Sequence, residues 1–316
     1  MADEHLQRIT RELLFTTFLG PSSGMDEQWI LERVADHLEE HVVVPGEILF
    51  RQGDTSEHLY FMSDGRVRLR AEGHPDWVYD GRWVMGTTDM LLGRPRGRTA
   101  TVETPAHLFR LRGEHWLDLM EDSFEATSGA LVGSARGSVA FHGRVPPDGG
   151  FLHVGSPHET GRAPLSLETL VDRALLLYEA PLLRGAGVQP LTDLARVSTI
   201  QELAAGEALF SAGVAPGRTF LVADGEIEVS RNDPNITARF GRGSIAGGAV
   251  CLGDPDAQWS ARATMSSRVL SFSNEDWFDE MEEHVDLARA AMGSLAFERE
   301  HLVDLLAAPV GEVVLY

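Results

Sequence analysis

The chain has 316 residues, 27 basic side chains against 48 acidic ones for a formal net charge of −21, and one cysteine, Cys251. The length suits about two domains, each able to bury a core without disulfides or metal, and a single thiol excludes an internal disulfide framework and fits a reducing compartment. So negative a field repels phosphate backbones and anionic bilayers, no apolar run nears the roughly 20 residues of a membrane span, and the amino terminus is acidic and polar; nucleic acid and direct membrane insertion are not expected, and a cytoplasmic location is.

In chain order, Leu6 to Leu19 and Met25 to Glu40 carry apolar residues at helical spacing on either side of a Gly-Pro-Ser-Ser-Gly break, which predicts an N-terminal helical pair. From His41 the period falls to two, through Val42 and Val44, Ile48 and Phe50, Leu59 and Phe61, Val67 and Leu69. Pro45-Gly46, Gly53-Asp54 and Asp64-Gly65 punctuate these short strands, the last as a hairpin turn. A loop from Gly86 to Arg98 holds Arg94, Arg96 and Arg98, strand returns over Thr101 to Leu111, and Glu114 to Val132 is helical. Gly133 to Pro164 loses periodicity and gains Gly, Pro, Ser and His, the composition of a linker. The second half runs from helices over Leu165 to Ala180 and Val188 to Val197, through strands from Ile200 to Leu270, to a helix capped near Asn274. Phe278, Met281, Val285, Ala288, Met292, Leu295, Leu302 and Leu306 then form a heptad-like seam, interrupted by Arg299 and with a break near Gly293. It packs on its own domain or pairs with a second copy. The apolar end, Pro309 to Tyr316, folds back on its own domain or adds to a partner's sheet. The resulting boundaries are 1–132, 133–164 (linker), 165–306 and 307–316 (tail).

The two halves are copies. PGEILFRQGDTSEHLYFMSDGRVRLR (Pro45 to Arg70) realigns on AGEALFSAGVAPGRTFLVADGEIEVS (Ala205 to Ser230) at an offset of 160, keeping Gly46/Gly206, Glu47/Glu207, Leu49/Leu209, Phe50/Phe210, Gly53/Gly213, Asp64/Asp224 and Gly65/Gly225. EHWLDLMED (Glu114 to Asp122) realigns on EDWFDEMEE (Glu275 to Glu283) at an offset of 161, pairing Trp116 with Trp277. Recurrence at one point of the fold marks the tryptophans as core anchors.

Helices, a strand set carrying V-x-P-G-E-x-L-F-x-x-G-D and L-Y-F-x-x-x-G-x-V, a Gly-rich arginine loop and a closing helix resemble the cyclic-nucleotide-binding domain family. The resemblance implies an α+β fold of two tandem antiparallel β-rolls of jelly-roll type, each flanked by helices. It also implies a cassette similar to F-G-E-x-A-L-(x)-P-R-x-A-T-V, in which helix amides and an arginine neutralise the cyclic phosphate and a glutamate accepts the ribose hydroxyl. In the first copy the matching residues are Gly86, Thr87, Thr88, Asp89, Arg96, Arg98 and Thr99, with Thr87 in place of the glutamate. Arg96 follows the proline, whereas Arg98 keeps the spacing to Thr101-Val102. Thr87 or Asp89 is left for the ribose, and surface ion pairs are the alternative fate of the arginines. In the second copy Gly247, Gly248 and Ala249 occupy the cassette, Gly248 replaces the glutamate, Ala261 replaces the arginine, and Arg262 as its strand neighbour faces the other way. Asp254 and Asp256 add acid there, and the site reads as degenerate.

No Ser-centred nucleophile turn, Walker-type loop or paired-carboxylate setting is legible, so no enzyme is expected. His37 and His41 lack further ligands for a metal. The reading is a regulatory or assembly subunit acting through a protein partner or larger assembly, with a homo-oligomer through the C-terminal helix as one form and no cofactor. Its alternative is a sensor of a cyclic nucleotide or other small anion in the first domain.

Overall fold

The computed structural model describes residues 34, 36–142, 144, 166–180, 183, 185–232, 235–253 and 258–315. The N-terminal helical pair before residue 34, most of the expected linker, and Asp254 and Asp256 lie outside the described residues. Contacts divide the chain into two units, Met1–Gly133 with Val303–Tyr316, and Ser134–Leu302. No helix among the described residues is long and apolar enough to cross a membrane.

The first unit is built on two long antiparallel strands, β3 (His58–Arg70) and β6 (Thr99–Arg112), paired from His58↔Arg112 to Arg70↔Thr99. Around them stand β1 (Glu39–Val43) and β2 (Ile48–Phe50) on β6, and β4 (Asp76–Asp80) and β5 (Trp83–Met85) on β3. Helix α1 (Thr87–Leu91) follows β5, and α2 (Gly113–Asp122) and α3 (Phe124–His142) follow β6. In α2 the buried residues Trp116, Leu119 and Met120 share one face, as i, i+3 and i+4 positions must. The helical stretch expected to stop at Val132 breaks at Ser123, whose extended backbone separates α2 from α3, and α3 runs on to His142.

The second unit repeats the plan after α4 (Leu170–Glu179) and α5 (Val188–Val197). Its strands β7 (Thr199–Leu203), β9 (Arg218–Asp224) and β13 (Ser267–Ser273) form one sheet in the order β7-β13-β9. A second sheet, β11-β10-β12-β8, contains β8 (Ala208–Phe210), β10 (Ile227–Asn232), β11 (Asn235–Phe240) and β12 (Ser260–Ala263). Helix α6 (Gly248–Gly253) sits at the cassette, and α7 (Asn274–Glu283) is capped one residue earlier than expected, by a reciprocal Ser273–Asp276 box. Asn274 is engaged elsewhere: its Nδ2 donates to the Cys251 carbonyl at 3.2 Å. Helix α8 (Val285–Ala307) is continuous through Gly293, the break falling instead at His284, where φ is −135°. Along it Ala288, Met292, Leu295 and Leu302 are buried within the single chain. Trp116 and Trp277 are both fully buried.

Asp64-Gly65 is not a hairpin turn. Strand β3 passes through it without reversing, with register shifts from Met62 to Val67, and Gly65 sits at φ +102° with room for no side chain: a Cβ there would lie 2.3 Å from the Ala106 Cβ. At the equivalent Gly225, φ +84°, a Cβ would lie 2.2 Å from Ser267 Oγ, and here the chain passes from one sheet of the roll to the other. The Asp-Gly pair is therefore a bulge that bends a strand over its neighbour. Gly46, at φ +89°, has open space around it. We expect Gly46→Ala to cost about 1 kcal/mol of backbone strain and Gly65→Ala and Gly225→Ala a further 1–3 kcal/mol or so from steric overlap. Urea unfolding of the three variants checks the order, and equal losses would remove the close-approach explanation.

Candidate functional site

The first cassette is assembled between the end of β5 and the start of β6. Gly86 takes φ +88° to turn the chain into α1, and Thr87 is buried at the helix start. Gly86 is also required by packing, since a Cβ would lie 2.6 Å from Arg96 Nη1. The Arg96 side chain, 2% exposed, donates through Nη1 to the Gly86 carbonyl at 2.8 Å and through Nη2 to the His58 carbonyl, with its guanidinium 4.5 Å above the Phe50 ring. Burial draws its pKa below the usual arginine value. Its Nε finds no hydrogen-bond partner among the described residues.

The Gly53-Asp54 turn explains why Arg96 is held so firmly. Gly53 N–H donates to the Arg96 carbonyl at 2.9 Å, Arg96 N–H donates to the Asp54 carbonyl at 2.8 Å, and the Asp54 side chain closes its own turn on Arg51 N–H at 2.7 Å. Asp89, on α1, works inward on the same loop: it accepts from Arg94 Nε at 2.8 Å and from Gly97 N–H at 3.2 Å. Thr88 is half-buried, its carbonyl accepting from Leu92 N–H at 3.0 Å, and Thr99 Oγ1 accepts from Gln52 N–H at 3.0 Å.

Arg98 is 5% exposed and lies over Trp77 at 3.8 Å. Its Nη1 donates to the Pro75 carbonyl at 2.6 Å and its Nη2 to Asp304 Oδ1 at 2.7 Å. The alternative of surface ion pairs thus misplaces two of the three arginines, since Arg96 and Arg98 both lie inside the roll. Asp304 has no signal in the sequence that links it to Arg98, 206 positions earlier.

Among its described residues the second cassette holds no such cations. The strand register corrects the expected alignment: Ser260 Oγ accepts from Ala212 N–H as Thr99 Oγ1 does from Gln52 N–H, and Ala261 pairs with Phe210 as Ala100 does with Phe50. Trp259 rather than Ala261 therefore stands in the place of Arg98, 2% exposed in an apolar cluster with Phe220, Val229, Ala246, Val250 and Ala261. Gly247 turns at φ +69° against Phe210 and Val229, Gly248 opens α6 beside Ile245, and Ala249 is buried. Arg262 points away from that cluster with its side chain 63% exposed, paired to Glu228 at 2.6 Å. Cys251 lies in the same interior, and burial pushes its thiol up to about 12. It follows that Ellman's reagent at pH 8 leaves Cys251 unmodified in the native protein and titrates one thiol after denaturation; rapid native labelling would contradict the packed interior.

Among the described residues, Asp193, Glu280 and His284 bring possible ligand atoms within 4.8 Å of one another. Asp193 already accepts from Gln189 at 2.6 Å and from Arg196.

Segments 40–123 and 200–284 each match the model of the cyclic nucleotide-binding domain, and together they make up more than half of the chain. The chain therefore belongs to the cyclic nucleotide-binding domain family, with two domains in tandem. Among solved structures it is similar to cAMP-bound PfPKA-R (141–441), with 16% identity, 88% of this chain and 84% of that one covered, and a TM-score of 0.37. The regulatory domain of Toxoplasma gondii PKA crystallised with cAMP gives 16% identity, 89% and 92% coverage and a TM-score of 0.33. The regulatory subunit of a cAMP-independent protein kinase A from Trypanosoma brucei gives 15%, 90% and 89%, and 0.34. No curated protein matches the sequence.

Proposed function

We propose that the protein is a non-enzymatic regulatory or assembly subunit, working through contacts with a protein partner, whose two cassettes no longer hold a cyclic nucleotide. One observation carries this reading: the three arginines of the first cassette are each engaged from within the chain, Arg94 by Asp89, Arg96 by two carbonyls and Arg98 by Asp304. A phosphodiester entering there has to displace a carboxylate from a buried cation, and it meets Thr87 where the resemblance puts a glutamate for the ribose. The second roll supports the same reading by packing apolar side chains where a charged sugar phosphate would need a cation. Because Ala288, Met292, Leu295 and Leu302 of α8 are already buried within one chain, they do not support the pairing of two such helices.

A sensor of a cyclic nucleotide or other small anion in the first domain is the second reading, favoured by the burial of Arg96 and Arg98 inside the roll. Thermal unfolding separates the two. A ligand at 100 times its dissociation constant adds roughly 2.7 kcal/mol, a shift of a few degrees. We expect no shift with cyclic AMP or cyclic GMP at about millimolar concentration, and co-purification of a stoichiometric protein partner from the native cell. A clear shift with either nucleotide decides for the sensor.

A further inference from the structure

Asp304 does more than neutralise one arginine. Its Oδ1 accepts both from Arg98 Nη2 and from Trp77 Nε1, each at 2.7 Å, and His74 Nδ1 stands 3.5 Å from its other oxygen. The donors come from three points of the first roll: the loop before β4, β4 itself, and the residue before β6. Their convergence on one carboxylate makes a built anion receptor, with the guanidinium fixed from the other side by the Pro75 carbonyl and from its face by the Trp77 ring.

The carboxylate is delivered by a strap. Strand β14 (Glu312–Leu315) pairs in parallel with β4, from Glu312↔Asp76 to Leu315↔Tyr79, at the edge of the first sheet. Asp76 N–H donates to the Gly311 carbonyl at 2.8 Å, Arg68 holds Glu312 at 2.7 Å, and Val313 and Leu315 are buried. Yet β4 keeps its antiparallel pairing with β3, from Arg66↔Asp80 to Leu69↔Trp77, on its other side. Four residues of edge strand, paired on one side alone, are a unit that can open locally while the roll stays folded.

We propose that the segment from Val303 to Leu315 is a ligand in cis of the first roll: Asp304 occupies its anion receptor, β14 holds it there, and a small phosphate-bearing anion binds only in exchange for it. Exchange rather than simple release follows from burial, because departure of the carboxylate without a replacement strands a guanidinium out of water. Affinity for an external anion is then lowered by the fraction of molecules whose strap is open. The receptor stands on the Arg98, Trp77 and His74 geometry alone, so this goes beyond the proposed function and does not require the partner to be known.

The test is a calorimetric titration of the full-length protein with inorganic phosphate and with cyclic AMP. Asp304→Asn keeps the shape of the strap and removes its charge; Glu312→Lys sets a cation against Arg68 and loosens the strap without altering any receptor donor. Each variant is expected to bind at least one of the probes at least about tenfold more tightly than the wild type, and adding Arg98→Gln to either is expected to abolish the gain. Should Asp304→Asn not fold, Glu312→Lys carries the test by itself. Folded variants that bind both probes no better than the wild type, or a gain that survives Arg98→Gln, overturn the proposal. Tight binding of cyclic AMP by the wild type refutes the proposed function instead, and leaves the comparison between wild type and variants to judge the strap.

Discussion

Two guanidinium groups inside a β-roll set the terms for the first unit. A cation taken out of water is tolerable only where carbonyls, aromatic faces or a carboxylate replace its hydration, and Arg96 and Arg98 are met in different ways. Arg96 is satisfied locally, by Gly86, His58 and Phe50, and its backbone is laced to the Gly53-Asp54 turn. Arg98 is satisfied from a distance, by a carboxylate on the last turn of α8. The first arginine shapes the cassette; the second ties the segment from Val303 onward to the first roll.

Duplication makes the contrast readable. The second copy keeps Gly206, Gly213 and Gly225 and the buried Trp277, but Trp259 stands where Arg98 does and the remaining arginine, Arg262, faces outward to Glu228. Without a buried cation among the described residues, its roll closes over an apolar interior. The same backbone thus tolerates either solution, which is why the fold says little about ligands and the side chains at two positions say much.

Most of the architecture was legible because it depends on short-range rules. Glycines at positive φ, period-two apolar runs and the repeated Trp116 and Trp277 place both rolls and their closing helices. The misreadings have local causes. Asp64-Gly65 carries the composition of a hairpin, but only the close approach of Ala106 decides that it is a bulge. Gly293 looks like a helix breaker, and α8 runs through it because burial of Ala288, Ala291, Met292 and Leu295 outweighs one residue's propensity. Of the cassette, the inward and outward facing of Ala261 and Arg262 follows from strand alternation. The partner of Arg98 does not, since nothing in the spacing of residues 98 and 304 couples them, and the tail's two expected fates omitted the first roll altogether.

Strand β14 also orders events in time. The edge of β4 that it covers is synthesised more than two hundred residues before it, so a nascent first roll stands with an open strand edge and an uncompensated Arg98 while the second is still being made. Open edges are where sheets recruit the wrong neighbour. The first roll is therefore completed only after the second has been synthesised, and its exposure to mispairing lasts as long as the ribosome takes to reach Leu315.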